Sequence, residues 1–214
     1  MEKPEALIMD ATAGNRTLWN VKDHKFILFC DIEPELDVQP DQLVDCRDTG
    51  FEDESYNTIF FDPPHGWGKK PGQGIYECRN EAEYRAYKAK YNLDRWGNKA
   101  VYYGWDKYQS KKDLKDFIFD AQREFNRILK NNGMLWLKWN ETQIPLDEVL
   151  GLFHDWVEML RLPIGSPKQK LGGKQTYWCM FLKAHGPQAT LLKDFTINKQ
   201  SKRTVNSKSK RTKT

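Results

Sequence analysis

No stretch of this sequence approaches the roughly 18–20 consecutive apolar residues of a membrane span. The opening Met1-Glu2-Lys3-Pro4 runs straight into a short apolar segment without the features of a secretory signal. Cysteine is sparse: Cys30, Cys46, Cys78 and Cys179 form no CxxC pair, and three of them sit in or beside apolar runs, where free cysteine behaves as a small hydrophobe. A disulfide framework is therefore not expected, and a reducing intracellular compartment, cytoplasmic or associated with a nucleoid, is. The four histidines, His24, His65, His154 and His185, lack the spacing of a zinc site, so no metal is expected. The GxGxxG fingerprint of nicotinamide enzymes is missing as well.

What is present is a chain of 214 residues with 39% hydrophobic and 30% charged residues, long enough for one α/β domain with a sizeable core. The net charge of +4 is unevenly placed. Seven of the 34 basic residues lie from Lys199 onward with no acid among them, which leaves 27 basic against 30 acidic residues in the first 198. The tail, 199–214, offers nothing to bury and reads as a disordered basic arm suited to phosphates, or as a solubilising terminus.

The chain is organised around Asn57-Thr58-Ile59-Phe60-Phe61-Asp62-Pro63-Pro64-His65. Ile59, Phe60 and Phe61 show no polar alternation, as suits a strand buried on both faces. Pro63 and Pro64 cannot continue a ladder, so a carboxylate, Asp62, is left at the tip of a buried strand before a rigid turn and a ring. Ligands of open α/β sheets bind at that end of the strands.

Other strands flank this one. Residues 6–10 and 26–30 are short apolar runs, and 42–46 a third. The first ends in Asp10-Ala11-Thr12-Ala13-Gly14-Asn15, a turn of small side chains that lets a ligand approach the backbone. Asp31, followed by Ile32, stands about 20 residues beyond the first strand, where nucleoside-binding folds place a ribose-binding acid; Glu33 is the alternative. Asp45 beside Cys46, or else Asp48, is placed to accept from an exocyclic amine.

Residues 65–110 carry ten Trp and Tyr residues, from Trp67 to Tyr108, interleaved with Lys and Arg, the chemistry of a nucleic-acid groove. Within them 81–93 fits a helix whose tyrosine stripe suits packing on the sheet. An amphipathic helix is expected over 112–130, stopped by Asn131-Asn132-Gly133. A strand over 134–139 follows, which brings Lys138 and Asn140 toward the pocket mouth. A second helix is expected over 146–160. Residues 161–165 and 176–183, with no helix between them, should pair as an antiparallel hairpin.

Together these pieces resemble the class I S-adenosylmethionine-dependent methyltransferases, and among them the amino-methyltransferases of adenine N6 or cytosine N4. The resemblance covers about 5–184. Asp62-Pro63-Pro64-His65 is similar to the family's Asp/Asn/Ser-Pro-Pro-aromatic box, and Asp10 to Asn15 is similar to its cofactor loop. It implies a Rossmann-like seven-stranded sheet, mostly parallel with a C-terminal antiparallel hairpin, within a domain over 1–198 bearing a substrate-facing insertion at 65–110. It implies S-adenosylmethionine held by Asp10 to Asn15, by Asp31 and Ile32, by Asp45 and Cys46, and at Asp62. Asp62 and the Pro63 carbonyl, with Pro64 and His65, would form the catalytic box; His65 would stack on the base, with Trp67 and Lys138 also meeting substrate. The implied partner is nucleic acid, DNA in preference to RNA. No large recognition domain is visible, so specificity is short or supplied by a partner, a recognition protein or a second copy. Two positions depart from the pattern: His65 replaces the usual Tyr, Phe or Trp, and Arg16 replaces the usual second glycine. An RNA base methyltransferase, or an inactive nucleic-acid-binding module with a dead cofactor loop, are the alternatives.

Overall fold

The computed structural model describes residues 6–67, 107–141, 143–165 and 175–183. The expected helix over 81–93 with its tyrosine stripe, most of the insertion, and the basic tail lie outside these residues. Seven strands form one sheet: β1 (Ile8–Asp10), β2 (Ile27–Asp31), β3 (Gln42–Leu43), β4 (Tyr56–Phe61), β5 (Leu129–Asn140), β6 (Val157–Ile164) and β7 (Thr176–Leu182). Their order is β3-β2-β1-β4-β5-β7-β6. The β1–β2, β1–β4, β2–β3 and β4–β5 pairs are parallel, whereas β7 runs antiparallel to both β5 and β6. This is the Rossmann-like α/β arrangement that the resemblance implies.

Helix α1 (Lys111–Ile128) starts where expected: the Ser110 side chain caps it by accepting from the Asp113 N–H at 3.1 Å. Its apolar stripe, Leu114, Phe117, Ile118, Ala121, Phe125 and Ile128, packs on Ile59 and Phe61 of β4 and on Leu135 and Leu137 of β5, within one continuous core. Phe61 is fully buried, its ring edge-on to Phe125 at 4.9 Å and tilted against Phe117 at 6.0 Å. That packing fixes the end of β4, and with it Asp62.

Three elements differ from the sequence reading. The helix ends at Ile128, because Leu129 turns extended and pairs with Tyr56. Residues 130–133 then form a bulge in the β4–β5 ladder, with Asn132 at φ +60°, before pairing resumes at Met134. The third strand is only two residues long. The helix expected over 146–160 is short, α2 (Leu146–Leu150); the chain then turns through 151–155 and enters β6 at Val157. Val149, Phe153 and Trp156 still reach the core at their predicted spacing, which successive tight turns satisfy as well as a helix does. From Val157 the ladder to β7 takes over, in the antiparallel pairing expected of the last segments. Among the described residues no helix is long and apolar enough to cross a membrane.

Candidate functional site

The parallel register places Asp10 of β1 beside Phe60 of β4, so the turns that follow the two strands emerge together. They are joined directly: the Asp62 N–H donates to Thr12 Oγ1 at 2.8 Å, and the Ala11 N–H to the Phe60 carbonyl at 2.9 Å. Between these turns and the ends of β2 and β3 lies a cavity of about 390 Å³. Its lining takes in Asp10, Ala11, Thr12, Ala13, Gly14, Asn15, Asp31, Ile32, Asp45, Cys46, Asp62 and Pro64 of the sequence-predicted set, together with Glu33. Thr17, Leu18, Val44, Lys107, Tyr108 and Phe117 are also on its wall. Sequence reasoning missed the last two because Phe117 reads as an ordinary core position of α1 and Tyr108 as one ring among ten. Asp48 lies elsewhere, on a charged hollow of about 510 Å³ beside α1 that it shares with Asp45, Arg47, Arg123 and Arg127.

Each acid is held differently. Asp10 is buried at the end of β1, where its Oδ2 accepts from Trp19 Nε1 at 2.6 Å and its Oδ1 from the Thr12 N–H at 3.3 Å. Burial pushes its carboxyl up to about 7, against the pull of those two bonds and with the charges of Asp62 and Asp31 adding to the rise. Asp31 accepts from the Gly14 N–H at 2.8 Å and the Glu33 N–H at 2.9 Å, and so shapes both loops that wall the cavity. Asp45 is gripped by Arg47, whose Nη2 lies 2.6 Å from Oδ2 and whose Nε lies 3.0 Å from Oδ1; these bonds draw its carboxyl below the usual range. The Cys46 thiol is buried, and burial pushes it up, so it is a wall and not a nucleophile.

Asp62 faces the cavity with its two oxygens differently engaged. Lys138 Nζ of β5 lies 2.5 Å from Oδ2, and His65 Nε2 lies 3.2 Å from Oδ1. Oδ1 is buried and receives no directed hydrogen bond, and His65 Nδ1 is likewise unpartnered. Burial alone would raise the Asp62 carboxyl; His65 and Lys138 outweigh it and hold the group below the usual carboxylate range. His65 and Lys138 stand outside the cavity lining, and the His65 ring packs edge-on to Trp139 at 5.3 Å. Pro63 is buried beside them. Trp67 packs against the core, its backbone gripped by Gln143: its N–H donates to Oε1 at 2.6 Å, and its carbonyl accepts from Nε2 at 3.3 Å.

Arg16 does not enter the cavity. Its φ is +53°, the conformation a glycine would take there, and its guanidinium turns away to bind the Lys22 carbonyl, the Gln39 carbonyl at 2.7 Å and Asp41 at 3.1 Å, over the Phe29 ring at 4.1 Å. Among the described residues no group of His, Cys, Asp and Glu could hold a metal ion.

No protein-family model matches the chain, and no curated protein does. Among solved structures, two of TTHA0409 from Thermus thermophilus, provisionally named a DNA modification methylase, are similar at 14% identity. The selenomethionine form aligns over 67% of this chain and 52% of that one with a TM-score of 0.37, and the second over 66% and 52% with 0.35. This chain thus spans about half the length of those proteins, and a likeness of that degree carries no information about activity.

Proposed function

We propose that this protein transfers a methyl group from S-adenosylmethionine to an exocyclic amine of a nucleobase, adenine N6 or cytosine N4, in DNA. The observation that carries the reading is that one cavity is bounded on one side by the small-residue turn after β1 and on the other by Asp62 and Pro64 of the box. Its volume, about 390 Å³, falls among those of small-molecule sites, roughly 300–1,000 Å³. The donor set suits the cofactor. Ala11, Ala13 and Gly14 leave the backbone open, with nothing within 4 Å of where a Gly14 Cβ would stand. Asp31 and Glu33 suit ribose hydroxyls, Asp10 an ammonium group, and Val44, Leu18 and Phe117 an adenine ring. When bound, S-adenosylmethionine supplies an already activated methyl group.

The chain's own part is to hold the amine. Asp62 and the Pro63 carbonyl accept its hydrogen bonds, which draws the nitrogen lone pair out of ring conjugation and stabilises the positive charge that develops there. Asp62, held below the usual carboxylate range, acts as an acceptor, and the proton shed by the methylated nitrogen passes to solvent. In a duplex the base must first leave the stack, at a cost of a few kcal/mol. The preference for nucleic acid rests on the aromatic and basic residues of 65–110 and on the basic tail, and that for DNA on the box.

Arg16 lies clear of the cavity, which favours a working cofactor loop over a dead one. Two measurements test the proposal. Calorimetry should show that S-adenosylhomocysteine binds, and tritiated methyl should pass to DNA in preference to RNA, with nuclease controls for each. Asp62→Asn should keep cofactor affinity while turnover falls steeply. Methyl transfer to RNA alone would move the reading to an RNA base, and unchanged turnover in Asp62→Asn would remove the role given to Asp62.

A further inference from the structure

We propose that Lys138 and His65 are positioning residues that clamp Asp62 by its two oxygens, and that His65 does this in place of stacking on the target base. The proposal rests on the methyltransferase reading and concerns how its central carboxylate is held. Asp62 lines the cavity, whereas Lys138 and His65 touch it from outside the lining. Lys138 comes from β5, 76 residues away, and reaches Oδ2 at 2.5 Å. His65 comes from the box's own turn and flanks Oδ1 at 3.2 Å.

A ring that stacks on a base needs an open face. The His65 side chain is only 12% exposed and its ring is committed edge-on to Trp139, so the geometry suits contact with Asp62 and not with a planar ligand. Lys138 is likewise committed: its ammonium is spent on Asp62, which leaves it ill placed to meet a phosphate. A carboxylate on a Pro-Pro turn retains side-chain freedom unless something fixes it. Here Lys138 bonds one oxygen directly and the His65 ring closes over the other, which is buried, so the carboxylate cannot swing. The arrangement is therefore a preorganised carboxylate.

The charges around Asp62 make the clamp testable through pH. Lys138 faces it from β5 and His65 from its own turn, while Asp10 at the end of β1, pushed up to about 7 chiefly by burial, is uncharged where Asp62 titrates. Removing Lys138 leaves burial opposed by His65 alone, so the Asp62 carboxyl should titrate higher.

The experiment compares the full-length wild type with Lys138→Met, Lys138→Arg, His65→Phe and His65→Gln. Each is followed by carbon-13 NMR titration of the Asp62 carboxyl, by calorimetry with S-adenosylhomocysteine, and by single-turnover methyl transfer to DNA across pH. Lys138→Met should raise the Asp62 midpoint and the acid limb of the rate together, and lower kcat on the order of 10²-fold, as a misplaced catalytic group does. Its KM for DNA and its affinity for S-adenosylhomocysteine should hold, and Lys138→Arg should recover part of the loss. His65→Phe should lose more turnover than His65→Gln, whose amide can still reach Oδ1; a stacking role gives the reverse order. Loss confined to KM for DNA in Lys138→Met, an unmoved Asp62 midpoint, or a His65→Phe protein as fast as wild type overturns the clamp. The NMR titration separates the two failures. A midpoint that moves in a protein with no methyl transfer supports the clamp and sinks the functional reading.

Discussion

Replacing Arg16 by glycine, the residue the family pattern would place there, is expected to destabilise the protein despite its backbone. The left-handed φ of +53° costs a non-glycine residue about 1–2 kcal/mol, which glycine would recover, less about 0.5–1 kcal/mol for the added freedom of the unfolded chain. Against that small gain stand the bonds of a buried guanidinium. It binds two carbonyls and Asp41 and lies over Phe29, joining the turn after β1 to the loop between β2 and β3. Hydrogen bonds to charged groups contribute about 1.5–3 kcal/mol each, are not additive, and removing one partner of a buried pair costs about 3–5 kcal/mol. The balance is a loss of about 3 kcal/mol or somewhat more. For a domain of this size that lowers the melting temperature by roughly 6–12 °C. Calorimetric melting and urea titration of wild type, Arg16→Gly and Arg16→Lys measure it, with the lysine variant falling between because it keeps the charge but not the fork. An Arg16→Gly protein as stable as wild type would refute the reasoning and make the arginine a tolerated misfit.

Other expectations follow from single sites. The buried Asp10 carboxyl titrates at about 7 when folded and near 3.8 when unfolded, so the folded state holds its proton more tightly. Its contribution is neutral below pH 4, becomes unfavourable as pH rises toward 7, and levels off above at about 4 kcal/mol; Asp10→Asn should remove that slope, which melting at pH 5 and pH 8 detects. A Cβ at Gly133 would stand 2.6 Å from Leu129 Cγ and 2.8 Å from the Lys130 carbonyl oxygen, so Gly133→Ala should cost about 1–3 kcal/mol in a urea titration by forcing the bulge open. Phe61→Ala, at a fully buried ring between β4 and α1, should cost about 3–5 kcal/mol in a urea titration and loosen the end of β4 that carries Asp62.

Much of this was readable from the chain because its signals are local. Ile59 to Phe61 declare a strand, although only Ile59 and Phe61 are fully buried and Phe60 on the other face is half-buried; the stripe from Leu114 to Ile128 declares a helix, and Ala11 to Gly14 a turn too small to fill a pocket. The β6 region was not readable. Val149, Phe153, Trp156 and Val157 carry helical spacing, and what turns Val157 to Ile164 into a strand is the ladder of β7, which local periodicity does not reveal. The same is true of the site: Asp62 was evident from its prolines, but its bond to Lys138 joins positions 76 residues apart. Arg16 seemed to damage a cofactor loop, because the sequence shows that a glycine is missing but not that the side chain leaves the pocket for Gln39 and Asp41.

The reversed direction of β7 governs where the rest of the chain sets out. It leaves the sheet at Lys183, whose N–H bonds to the Gly133 carbonyl just before the β5 ladder begins at Met134, at the end of the strands remote from Asp62. The seven residues of β7 alone measure about 23 Å. Fifteen residues separate Lys183 from Lys199, a tether of at most about 58 Å. The basic segment is thus rooted, through its chain connection at Lys183, at the end of the sheet opposite Asp62, by a tether with more than twice the reach of β7.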